Sequence, residues 1–178
     1  MFLRIKKVQN KEYVYLVNNR WNKRKRSSRQ KTSKYLGRNY KLTKSNPALF
    51  EDFIPSDIND YFSKYSSQHI IKDLINHELL QHSFKLSEEK LKSSNFLVDI
   101  NNIQVIDDKT QKPISLEMNE GFLNNYTLSN LLNIKYNQKT DKEIARLLAD
   151  SLLSAGISIE EDIFILLYSR IVKELKDH

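Results

Sequence analysis

Two sets of residues in this 178-residue chain imitate catalytic sites, and a third has the makings of a binding surface. Asp99, Asp107 and Lys109 follow the D…(D/E)xK pattern of metal-dependent nucleases. That chemistry needs both carboxylates on one Mg²⁺ ion. With a two-residue turn at Asn101-Asn102, Asp99 pairs near Gln104 and Asp107 lies about 10 Å further along, at about 3.4 Å per strand residue. Such a site does not close. Asp107-Asp108-Lys109 reads more simply as a turn, where Asp is locally favoured. His77-Glu78-Leu79-Leu80-Gln81-His82 is one residue longer than the HExxH zinc motif. On a helix its two histidines are turned about 140° apart, so the segment reads as a helix-end cluster with His82 favouring the dipole. The chain has no cysteine and three glycines. Thiolate ligands, a cysteine nucleophile and a glycine-rich phosphate loop are therefore not expected. The residues point to no catalytic group, metal ligand or cofactor.

The third set is WNKRKRSSRQK, Trp21 to Lys31, with six Lys or Arg in eleven positions and no acid. It belongs to a wider segregation. Residues 1–44 hold 15 Lys or Arg against one acid, Glu12, whereas residues 45–178 hold 14 bases against 21 acids. The overall charge of +7 conceals ends of opposite sign, a pattern that suggests one end meets an anion. Lys and Arg bind phosphate through counterion release, and aromatic rings stack on unpaired bases. The expected nucleic-acid-binding residues are Arg20, Lys23, Arg24, Lys25, Arg26, Arg29 and Lys31 in the basic connection. Arg4, Lys6 and Lys34 lie on the strands, with Tyr13, Tyr15, Trp21 and Tyr35 as stacking residues. An anionic membrane would call for an amphipathic helix or a lipid anchor, and neither is evident. An acidic protein surface is the rival partner.

These residues need strands to present them. FLRIKKV (2–8), YVYLVN (13–18) and RQKTSKYL (about 29–36) predict a three-stranded antiparallel meander, with Gly37 ending the third strand and a long basic loop from Asn18 to Ser28. Residues two apart share a face. Arg4 and Lys6, Tyr13 and Tyr15, and Arg29, Lys31, Ser33 and Tyr35 are three such sets, which would form one basic aromatic face if they coincide. Leu3, Ile5, Val14, Leu16 and Leu36 would form the packing face behind it. Residues 38–56, with Pro47 and Pro55, read as a connector, and the change of charge sign places a boundary there: a basic module over 1–44 and an acidic α+β body over 45–178.

In the body, Ser56 is expected to cap a short helix, DINDYFSKY, and apolar spacing predicts a second helix over about 67–82. FLVDINNIQVI (96–106) and PISLEM (113–118) predict a small hairpin sheet, and Gly121 opens a helical tail. Thr140-Glu143 and Ser158-Glu161 read as capping boxes, with Gly156 ending the helix between them. Leu153 to Ser158 has the look of a helix-turn-helix turn, but Glu160, Glu161 and Asp162 would repel phosphate. The last helix is apolar around most of its circumference, which suits a core helix or a homodimer or protein-partner interface. The class is thus α+β: a β-meander, a helical middle with a small β-hairpin sheet, and a helical C-terminal core. Lack of cysteine and of a long apolar run suits the cytoplasm.

KEYVYLVNNRWNKRKRSSRQKTSKYLGR, Lys11 to Arg38, is similar to the small β-module at the N-terminus of some insertion-sequence transposases of the DDE class. A comparable module precedes the Fic domain in some archaeal proteins. The pattern is a Tyr-rich strand ending in Leu-Val (Tyr13, Tyr15, Leu16, Val17), a basic connection, then Lys34-Tyr35-Leu36-Gly37. The chain as a whole resembles uncharacterised archaeal proteins. The resemblance implies an accessory module that contacts DNA or a substrate, not catalysis. The chain has no HPFxxGNGR motif for Fic chemistry and no length for a transposase domain. The function expected is that of a non-enzymatic nucleic-acid-binding protein.

Overall fold

The computed structural model describes residues 1–23 and 26–177; Arg24 and Lys25, both expected at the site, lie outside the described residues. The chain is α+β, with two sheets and six helices among the described residues. The first three strands are β1 (Phe2–Val8), β2 (Lys11–Asn22) and β3 (Ser27–Lys41), joined as the expected antiparallel meander. Three helices follow, the short α1 (Phe50–Phe53) and α2 (Ile58–Lys64) and the longer α3 (Ser67–Gln81). Strands β4 (Lys85–Ser87), β5 (Lys90–Lys92), β6 (Phe96–Asp99) and β7 (Gln104–Asp107) form a separate antiparallel sheet in chain order. Then come β8 (Ile114–Met118), β9 (Gly121–Leu123), α4 (Asn125–Leu132), α5 (Asp141–Ala155) and α6 (Glu161–Lys176).

The meander is not a separate appendage. β3 does not stop at Gly37 but continues to Lys41, and Arg38 to Lys41 pair in parallel with Ile114 to Glu117 of β8. The result is one five-stranded sheet, β1-β2-β3-β8-β9, that crosses the change of charge sign. Gly37 makes the junction feasible. Its φ is +122°, and a Cβ there would lie 2.5 Å from Ile114 Cα and 2.5 Å from the Pro113 carbonyl oxygen. Glycine punctuates the chain here through close approach rather than through strand termination.

α3 sits at the centre of the body. Its apolar positions Ile70, Ile71, Leu74, Ile75 and Leu79 are buried, as the spacing predicts, and so are His77, Glu78 and Gln81. It packs against α1, α4 and α6. α2 is capped by Asp57, whose side chain accepts from the Asn59 amide, and not by Ser56. α5 has the predicted capping box of Thr140 and Glu143 and ends at Gly156 in the left-handed conformation. α6 begins at Glu161 with Glu160 at the cap and no side-chain cap bond, so Ser158 does not form the second box. Ile163, Leu167 and Ile171 of α6 are buried, but Ile165 is 50% exposed, which narrows the apolar circumference to one face. Gly121 starts β9 and not a helix, and β4 and β5 form a hairpin of three-residue strands, each a single Leu between polar residues, too short for alternation to mark. Among the described residues no helix is long and apolar enough to cross a membrane.

Candidate nucleic-acid interface

Strand length sets the shape of the basic region. β1 pairs with β2 only as far as Val17, opposite Phe2. Beyond that point β2 and β3 continue alone, from Asn18 opposite Lys31 to Asn22 opposite Ser27. The expected basic loop is therefore mostly a two-stranded ribbon, with Lys23 and Arg26 in the turn at its end. Arg20, Trp21, Lys23, Arg26, Arg29 and Lys31 are all exposed. A ribbon of two strands gains little from its own packing, and this one has solvent on both sides.

The register decides which side chains share a face. Arg4 lies opposite Tyr15, and Tyr15 opposite Tyr35; Lys6 lies opposite Tyr13. These five residues do coincide on one face, as expected. Arg29 and Lys31 do not join them. The pairing slips twice on β3, once between Val14 and Tyr15 and once between Leu16 and Val17, leaving Leu36 and Ser33 without an opposite residue. Each β-bulge adds a residue to one strand and shifts the alternation by one. Below Ser33 it is Thr32, Gln30 and Ser28 that share the face of Val17, Asn19 and Trp21. Arg29, opposite Arg20, and Lys31, opposite Asn18, lie on the other face with Lys34, opposite Leu16. The carbonyl of the bulged Leu36 is taken up by the body, where buried Ser115 Oγ donates to it at 3.3 Å.

On the tyrosine face, Tyr35 packs against Tyr13 and Tyr15 with ring centroids 6.2 and 5.4 Å away. Burial, and then the neighbouring tyrosines, raise the pKa of its hydroxyl above the ordinary value. Lys6 Nζ sits 4.7 Å from the centre of the Tyr15 ring and donates to Thr32 Oγ1 at 3.0 Å. Arg4 likewise reaches across β2 to the Gln30 side chain. These stems cross the face of β2 at Val17, which is buried. Tyr13 and Tyr15 are thus half-covered within the cluster, and Tyr35 and Trp21, 46% and 61% exposed, are the rings open to a partner. Arg38, stacked over the Tyr40 ring at 4.8 Å, extends the cluster toward the body. It is not among the residues expected at the site, although an Arg two positions before a Tyr in a strand predicts a shared face.

The opposite face is apolar only at its base. Val14, Leu16 and Leu36 are buried there with Leu3, Phe122 and Tyr126 packed around them. Ile5, expected among them, stays 36% exposed on the edge strand. Arg20 and Arg29 lie further along this face, on paired strands with Cβ atoms about 4.5–5.5 Å apart, a placement that costs free energy when left uncompensated. Among the described residues, the ion pairs that draw on the basic N-terminal segment are Lys41–Glu117 at 3.2 Å and Lys44–Glu78 at 3.1 Å. Both lie at its body end. Glu12, the segment's acid, accepts from Asn39 Nδ2 at 3.2 Å.

The two catalytic look-alikes are occupied with structural duties. Asp99 accepts from the Asn102 amide and side chain, each at 2.9 Å, and pairs with Lys90 at 3.4 Å. Burial opposes its ionisation, but these donors hold its pKa below the ordinary value. Asp107 accepts from Thr110 N at 2.7 Å and Thr110 Oγ1 at 2.9 Å, closing a turn. Asp99 is opposite Gln104 and Asp107 opposite Phe96, at the two ends of the β6–β7 pair, as the turn at Asn101-Asn102 requires. No group of three acidic or histidine side chains among the described residues could hold a metal ion. Glu78 does meet His82, Nε2 to Oε1 at 3.2 Å, and it also accepts from Asn119 at 2.9 Å and pairs with Lys44. His82 is therefore part of a buried network, and His77, also buried, meets the Gln81 side chain instead. The Glu78–His82 link has the i, i+4 spacing of neighbours on a helix, a signal present in the sequence.

Comparison of the chain with protein-family models, with curated proteins and with solved structures gave no match in any of the three.

Proposed function

We propose that this chain is a nucleic-acid-binding protein that grips the phosphate backbone with its N-terminal β-module and performs no catalysis of its own. The observation that carries this reading is the exposed ribbon, in which Arg20 stands across from Arg29 and the turn adds Lys23 and Arg26. A chain gains nothing internally from placing like charges opposite each other on an exposed pair of strands. An external polyanion relieves that repulsion and releases counterions as it binds. Trp21 and Tyr35 supply open aromatic surface beside the cations.

Anisotropy of labelled DNA and RNA, titrated with the full chain from low to physiological salt, tests the reading. Binding is expected to weaken log-linearly with salt. Substitution of Lys23 to Arg26 by Ala is expected to flatten the slope by about 3–4, at about 0.9 for each phosphate left unneutralised. Absence of binding at low salt would sink the reading. It would direct attention to the rival, an acidic protein partner held by the same arm. Metal-dependent cleavage is not expected, since Asp99 and Asp107 stand at opposite ends of their strand pair.

A further inference from the structure

We infer that the ribbon formed by Asn18–Asn22 and Ser27–Lys31 is shaped to enter the major groove of B-form DNA, with phosphate on both of its faces. This rests on the nucleic-acid reading above and goes beyond it in naming the polymer and the groove.

The first argument is the two-sided charge that the slip at Ser33 creates relative to Tyr35. Arg20, Arg29 and Lys31 share one face of the ribbon. On the other face Arg4 and Lys6 reach over from β1, anchored on Gln30 and Thr32. Had β3 kept its alternation from Tyr35 onward, with no slip at Ser33, Arg29 and Lys31 would lie with Arg4 and Lys6, and the ribbon would be a one-sided basic plate. A plate suits a flat anionic surface or one strand laid along it. Cations on both faces suit a slot with an anionic wall on each side, which is what a duplex groove provides.

The second argument is dimension. Five residue pairs extend beyond β1, about 17 Å at about 3.4 Å per residue. The major groove of B-form DNA is about 8.5 Å deep and about 12 Å wide. A single sheet layer with its side chains is about 10 Å thick, so the ribbon fits in width, and at about twice the groove's depth its outer half, from the turn to Arg20 and Arg29, can reach the floor while its base stands clear of the phosphates. A two-stranded ribbon is a known occupant of this groove. The A-form major groove of duplex RNA is too narrow for side chains to read.

The test uses the full chain with a mixed-sequence DNA duplex two helical turns long, each of its single strands, and the RNA duplex of the same sequence. Anisotropy is expected to show the DNA duplex bound at least about tenfold more tightly than the other three. Dimethyl sulfate probing is expected to show protection at guanine N7 in the major groove and none at adenine N3 in the minor groove. The face variants Arg20→Ala/Arg29→Ala/Lys31→Ala and Arg4→Ala/Lys6→Ala should each weaken duplex binding. They should lower the salt slope by about 2.7 and about 1.8, at about 0.9 for each phosphate neutralised. Thermal melts should show both variants folded at the assay temperature, with the larger shift in Arg4→Ala/Lys6→Ala, whose stems cover Val17. Equal or tighter binding of single strands or duplex RNA, unprotected N7, or a loss confined to one face would overturn the groove assignment while leaving nucleic-acid binding intact. No binding of any of the four polymers would overturn both.

Discussion

The ribbon and the C-terminal end of α3 both concentrate ionisable side chains, and they treat charge in opposite ways. Glu78, 1% exposed, is answered on every side by the chain itself: His82 and Asn119 donate to it, Lys44 pairs with it, and the Ser158 amide approaches at 3.4 Å. A buried carboxylate without such partners would be too costly to keep ionised. On the ribbon, Arg20 and Arg29 face one another in water, where the same law is relaxed by solvent and salt. The lesson is that burial forces charge to be satisfied internally, whereas exposure lets a chain leave charge open for a partner. Changes in the two regions should therefore separate cleanly, stability in one and binding in the other.

The largest expected effect lies at the seam that joins them. Gly37→Val would force a side chain against the backbone of Pro113 and Ile114 at a φ of +122°. Strain and overpacking together should cost about 3–5 kcal/mol, and a thermal melt should show it. Because Gly37 sits where β3 meets β8, nucleic-acid binding should fall as well. An unchanged melt would mean that the two regions are not joined as tightly as the continuous sheet implies.

Next in size, Glu78→Ala leaves His82 and Lys44 without their carboxylate. Lys44 is partly solvated, so the cost should be near the lower end for a broken buried pair, about 3 kcal/mol. For a chain of this length that lowers Tm by about 6–12 °C. Nucleic-acid affinity measured well below the new Tm should be unchanged. A loss of affinity would erase the separation of roles.

A pH series follows. Burial holds His77 below its ordinary pKa of 6.5, and its neutral form is the one the fold favours. Burial opposes ionisation of Glu78 too, but the bonds from His82, Asn119 and Lys44 prevail and hold its pKa below the ordinary 4.5. A depressed folded-state pKa contributes stability above the unfolded value and loses it as pH falls toward the folded one. Denaturant midpoints should thus decline first as pH drops below about 6.5 and again below about 4.5. No histidine lies in the ribbon or its turn, so phosphate affinity should not track that first decline. Midpoints that stay level down to pH 5 would contradict the assignment of His77 to a neutral buried role.

The smallest effect belongs to Trp21→Ala. The ring is 61% exposed, so stability should move by no more than about 0.5 kcal/mol. Its influence on binding discriminates between partners. Stacking on an unpaired base is worth about 1–3 kcal/mol, and a loss of that size would favour single strands over the groove. A change of threefold or less in duplex affinity is the expected result.

Much of the architecture is legible in the sequence because local physics dictates it. The alternation of Tyr13, Val14, Tyr15 and Leu16 marks β2, and the apolar spacing from Ile70 to Leu79 marks α3. Thr140, Glu143 and Gly156 mark the two ends of α5. The weaker local signals misled. Pro55-Ser56 suggested a cap that Asp57 provides, and Gly37 and Gly121 suggested a strand end and a helix start that are not there. At both glycines a long-range approach outweighs the local preference: β8 against β3 at Gly37, and the carbonyl of Leu153, 2.1 Å from where a Cβ on Gly121 would stand.

The candidate site divides in the same manner. Its charge, its aromatic residues and its lack of acids are properties of composition, and the sequence alone determined them: from Lys11 to Lys44 the bases have one acid, Glu12, among them. Which face each base occupies was decided only by the tertiary structure. Alternation assigns Arg29, Lys31 and Tyr35 to one side, yet the slip at Ser33 parts them. A bulge has no strong local signature here, because its stabilising partners, such as Ser115 beneath Leu36, come from the other half of the chain. Residue type is written in the chain, but the parity of a strand depends on what it is paired with, and that pairing exists only in the folded sheet.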